Sequence, residues 1–127
     1  MENKQIKRLI TLLAVLFITV ISYAQTVIQT NLAETSHFNL YTNKWDVTNK
    51  KYANITFVLK GYYLYTDDDA NSIYYLYKLI SSDGNSHSYE ATDELNRRCR
   101  VSILRYGTNG AIMVMYKSTT FTYYFNP

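Results

Sequence analysis

The chain has 127 residues, 16% of them aromatic, with 13 Lys and Arg against 10 Asp and Glu and a formal net charge of +3. Three of those basic residues and one acidic residue fall in the first 24 positions, so the remainder carries only about +1; this removes the electrostatic case for nucleic acid or an anionic membrane as a partner. Cys99 is the only cysteine, which excludes an intramolecular disulfide.

Lys4, Lys7 and Arg8 precede an almost wholly apolar run from Leu9 to Ile21, and Ser22-Tyr23-Ala24 follows. A basic start, a short apolar stretch and small residues before a cut are the three parts of a secretory signal. The sequence therefore divides into a signal peptide, 1–24, and one domain, 25–127, that is secreted or periplasmic after cleavage near Ala24. The apolar run is shorter than the roughly 20 residues that span a bilayer as a helix, so the membrane enters only if the signal stays uncleaved. No cysteine follows it to accept a lipid.

In the domain, Gln25–Leu32 and Phe38–Thr42 read as two short opening strands separated by residues 33–36, and Asn43-Lys44 as a turn. Trp45–Thr48 pairs back before a polar break at 49–51, and a clean strand follows with Ile55, Phe57 and Leu59 on one face. Gly61 interrupts the alternation, as a turn or bulge does. Tyr62–Tyr65 and Ile73–Leu79 form a hairpin that is Tyr-rich on both arms, around the turn formers at 67–71. Ser81–Ser86 is a loop, Ser88–Ala91 a strand, and 92–97 a loop or a single helical turn.

The C-terminal block carries the strongest pattern. Cys99, Val101 and Ile103 alternate with Arg98, Arg100 and Ser102, and Gly107-Thr108-Asn109-Gly110 supplies a hairpin turn in which Asn-Gly is the expected tight pair. In the next strand Ile112 and Val114 oppose Ala111, Met113 and Met115, so both faces are expected to be covered. Phe121, Tyr123 and Phe125 alternate with Thr120, Thr122 and Tyr124 in the last strand. No window holds a helical period. The fold class is all-β: a single antiparallel β-sandwich or small barrel of about eight strands, preceded by the signal-peptide helix.

No pattern of residues announces catalysis, and the expectation is a protein that is not an enzyme. His37 and His87 are the only histidines and lie far apart; a small hydrolase would need one of them beside a nucleophile. Cys99, on the apolar face of its strand, reads as core packing. No cofactor is expected. Asp67, Asp69 and Asn71 copy the first ligands of a calcium loop, but Ser72 stands where the loop needs Gly and Lys78 where it needs Glu, so calcium is the weaker reading and a solvated turn the stronger. Arg97, Arg98, Arg100 and Arg105 read as a solvated face or as partners of Asp93 and Glu94. The functional hint is the tyrosines. A sheet face displaying Tyr62, Tyr74 and Tyr124 suits a protein partner or a surface glycan, since Tyr supplies an apolar body with a polar tip; the same residues also serve as cross-strand pairs that stabilise a sheet. The leading expectation is an exported non-enzymatic domain binding a protein or cell-surface component through such a face, with a carbohydrate-binding module as the alternative.

The signal ending Ser22-Tyr23-Ala24-Gln25 resembles those of exported Bacteroidetes proteins. The segment from Glu90 through Arg97-Arg98-Cys99-Arg100-Val101, with the following hairpin to Met115-Tyr116-Lys117, is similar to the C-terminal part of small secreted all-β proteins of those bacteria. The resemblance implies a bacterial, exported β domain and carries no catalytic residues.

Overall fold

The computed structural model describes residues 25–67 and 71–126, so the expected signal helix and Asp69 lie outside the described residues. Eight strands follow one another: β1 (Thr26–Asn39), β2 (Lys44–Lys60), β3 (Tyr63–Thr66), β4 (Ile73–Ser82), β5 (Ser86–Thr92), β6 (Arg98–Tyr106), β7 (Asn109–Met115) and β8 (Thr119–Phe125). Each pairs antiparallel with the next, and β8 returns to β1 through Leu32↔Tyr124 to His37↔Thr119, closing a barrel. Closure pairs the first and last strands with each other, which decides between the sandwich and the barrel.

The inner face follows from the alternation. Phe57, Leu64, Val101, Ile112 and Val114 are fully buried along the barrel axis, joined by Ile28, Ile55, Leu76, Ala91, Ile103 and Phe125. Tyr123 packs edge-on to Phe57, with centroids 4.9 Å apart. Thr30, the polar residue of β1 on this face, gives its hydroxyl proton to the Ile55 carbonyl at 2.8 Å, so burial leaves it satisfied. The outer face carries Glu90 opposite both Lys78 and Arg100, and Glu34 opposite Lys50. The interior is apolar, and these charged pairs share the exterior with exposed aromatic and aliphatic side chains of β1 to β4.

Three expectations about the elements are corrected. The two opening strands are one, β1, because residues 33–37 are paired on both sides, to β2 and to β8. The polar break at 49–51 is also strand: β2 continues to Lys44, paired there to β1 alone since β3 reaches only Phe57, and one-sided pairing leaves residues 44–52 exposed. The β6–β7 turn is Gly107-Thr108 rather than Asn109-Gly110, since Tyr106 pairs with Asn109. Gly107 takes φ +66°, the glycine-first arrangement of a type II′ hairpin. Gly110 instead lies in β7 under the Phe125 ring, where a Cβ would strike that ring and the Leu104 carbonyl.

Candidate functional site

The predicted trio Tyr62, Tyr74 and Tyr124 does not share a face. Tyr62 is exposed in the β2–β3 turn, its carbonyl accepting the Leu76 amide proton at 2.7 Å. Tyr74 points inward, buried at 6% exposure. Tyr124 is on the outer face of β8, opposite β4 across the closed ring of strands, and there burial and a hydrogen bond to Glu34 raise its hydroxyl pKa. The error is one of phase. Leu64 and Leu76 set the inner face of β3 and β4, and Tyr74 shares the phase of Leu76.

The tyrosines of the opposite phase form the surface instead. Tyr63 sits beside Tyr75 across the β3–β4 ladder with centroids 5.3 Å apart, Tyr65 lies 6.0 Å from Tyr63, and Tyr77 lies 6.3 Å from Tyr75. Neighbouring ring planes tilt by 30–38°. Tyr63, Tyr75 and Tyr77 are each more than two-fifths exposed. The rung next to them runs Val27, Val58, Tyr65 and Ile73 across β1 to β4. The result is one apolar ribbon over four strands, bounded by Lys60 opposite Tyr63 and by Lys78 and Glu90, to which the Tyr77 hydroxyl donates at 3.3 Å.

At the end of the barrel where residues 93–97 and 116–118 connect the strands, a polar network closes the β5–β6 loop. Asp93 is 2% exposed at its side chain. Its Oδ1 accepts the amide protons of Leu95 and Arg97 at 3.0 and 2.8 Å; its Oδ2 accepts from Arg97 Nε and the Tyr116 hydroxyl, both at 2.8 Å. Burial alone would raise this carboxyl's pKa, but those donors outweigh it and hold the group below the ordinary carboxylate range. Of the pairings expected for the arginines with Asp93 and Glu94, that of Arg97 with Asp93 is present. Glu94 accepts the Ile73 amide proton at 3.4 Å. Beneath the loop, Cys99 is half-buried against the core, as expected, and burial together with the Asp93 charge pushes its thiol up to about 11.

The remaining candidates are structural in their contacts. Asp67 Oδ1 accepts the Thr56 amide proton at 2.6 Å, and the Asp67 amide donates to the Thr56 carbonyl at 3.1 Å, extending the β2–β3 pairing. Asn71 takes φ +47° at the return of the turn. Among the described residues no three His, Cys, Asp or Glu side chains gather as metal ligands. His87 does meet a hydroxyl: its Nδ1 is 2.8 Å from Ser82 Oγ across the β4–β5 hairpin. The adjacent Asp83 is occupied by the Asn85 and Ser86 amides, which lower its pKa. His37 Nδ1 lies 3.1 Å from Thr119 Oγ1. The four arginines disperse: Arg97 stays at the Asp93 end, Arg98 pairs with Thr92 at the start of β6, Arg100 faces Glu90, and Arg105 is by the β6–β7 turn at the other end. Comparison with protein-family models, curated proteins and solved structures finds no match to this chain.

Proposed function

We propose that this chain is an exported, non-catalytic binding domain that docks a protein partner through the ribbon Tyr63, Tyr65, Tyr75 and Tyr77. The observation that carries the reading is their continuity: successive ring contacts of 5.3–6.3 Å make one exposed surface rather than four scattered residues. An apolar aromatic centre with a charged rim of Lys60, Lys78 and Glu90 is the composition of a protein-binding patch. The tilt of 30–38° between rings favours a contoured protein surface over the coplanar shelf on which sugar rings stack. Export rests on the sequence of residues 1–24.

The test compares the native protein with Tyr63→Ser/Tyr75→Ser for capture of partners from its native compartment, followed by affinity measurement on the captured protein. Loss of two central aromatics is expected to weaken binding about thirtyfold or more, the effect of removing a hot spot of about 2 kcal/mol. If the double variant binds every partner with native affinity and only melts earlier, the tyrosines are sheet-stabilising pairs and the reading is refuted.

A further inference from the structure

The inner face of the barrel opens beside Asp93 into a cavity of about 490 Å³, within the size range of small-molecule sites. Its walls are aromatic: Tyr74, Tyr116, Phe121 and Tyr123. Tyr116 and Phe121 meet at 85° with centroids 6.1 Å apart, making a corner of two ring surfaces. The charged side chains lining it are Asp93, Glu94 and Arg97, two carboxylates against one guanidinium. The ion pair cancels Asp93 against Arg97 and leaves the charge of Glu94 uncompensated within the lining.

The polar groups are mostly engaged. Asp93 already accepts four protons and the Tyr116 hydroxyl already donates to it, while the Tyr74 hydroxyl is bonded to Ser72. What the cavity offers a ligand is aromatic ring surface beside the Glu94 carboxylate. It already holds one cation in this way, since the Arg97 guanidinium carbon lies 5.6 Å from the Tyr116 ring centroid.

We propose that this mouth binds a small organic cation of the quaternary ammonium class, its alkylated nitrogen seated against the Tyr116–Phe121 corner and facing Glu94. Such a group needs no hydrogen-bond partners, is drawn to the negative faces of aromatic rings and is stabilised by a nearby carboxylate. A sugar carries no positive charge for Glu94 to attract.

The probes are choline, its uncharged tert-butyl isostere and glucose, titrated into the folded protein and followed by amide NMR shifts and calorimetry. Choline is expected to shift the amides of residues 93–97 and 119–123, with the isostere about tenfold weaker or more. Glu94→Gln is expected to weaken choline about tenfold by removing the uncompensated charge, and Phe121→Leu about fivefold by replacing a ring with an aliphatic group; thermal melting verifies that each variant is folded. No choline-induced shift at the mouth, equal binding of the isostere, a native affinity for Glu94→Gln, or binding of glucose in place of choline would each overturn the proposal. The tyrosine ribbon is on the outer face of β3 and β4, opposite to the inward-pointing Tyr74, so Tyr63→Ser/Tyr75→Ser is expected to bind choline as the native protein does.

Discussion

Replacing Asp93 with alanine removes one buried carboxylate and strands the donors that converge on it. The Leu95 and Arg97 amides and the Tyr116 hydroxyl, at 2.8–3.0 Å, each lose a partner worth about 1 kcal/mol. Arg97 adds little, because its side chain is 62% exposed and water replaces its partner. The expected destabilisation is about 3 kcal/mol, which lowers the melting temperature by about 12–24 °C for a domain of this size. Urea unfolding followed by circular dichroism measures it, and a constant m-value confirms that the same transition is compared. Asp93→Asn separates charge from shape: one oxygen still accepts the two amides while the charge is gone. Because the carboxyl's folded-state pKa lies below its unfolded value, its ionised form stabilises the fold fully above the unfolded pKa of about 3.9. That contribution is lost as pH falls through the folded value. The gap between native protein and Asp93→Asn should therefore be widest at neutral pH and narrow as pH falls below the unfolded value toward the folded one. An Asp93→Ala protein within about 0.5 kcal/mol of native, below the usual effect of one such bond, or an Asp93→Asn deficit that does not change with pH, would refute this account of the network.

Two further outcomes are expected. Gly110→Ala places a methyl against the Phe125 ring and the Leu104 carbonyl and should cost about 1–3 kcal/mol by overpacking in urea unfolding, whereas a neutral effect would mean that β7 and β8 separate easily at this rung. Cys99, half-buried with its thiol raised to about 11, should react slowly with a disulfide reagent at pH 8 in the native protein and rapidly in urea; equal rates in the two states would place the thiol in solvent.

The elements whose side chains alternate between core and solvent were legible in the sequence, and those whose phase slips were not. The core-facing phase of β6 and β8 is the one read from the sequence, Cys99-Val101-Ile103 and Phe121-Tyr123-Phe125, although Ser102, Thr120 and Thr122 of the other phase are buried as well, and both faces of β7 are largely covered as its composition implied. The β1–β2 register slips: Thr30 pairs with Ile55 and Leu32 with Tyr52, so Asn31 faces two residues of β2, Ala53 and Asn54, and Leu32, though buried, shares a side with Tyr52 and Tyr124. A period of two cannot be carried across a bulge. In the Tyr-rich hairpin both phases are aromatic, so composition could not tell Tyr74 from Tyr75; Leu64 and Leu76 held the answer. The Asp93 mouth was legible only as a pairing of Asp93 with Arg97, because Tyr116 joins them from 23 residues away in the chain.

The seam between β1 and β8 also governs the order of events during folding. Its paired residues are separated by more than eighty positions, His37 from Thr119 and Leu32 from Tyr124, so the loop-closure entropy of nearly the whole domain is spent on the final step. Until the last strand arrives, the free side of β1 and the free side of β7 are both open to pairing with other chains. A chain truncated before Thr119 would leave those two edges permanently open, making β8, only seven residues long, the strand that turns a self-adhesive sheet into a closed one.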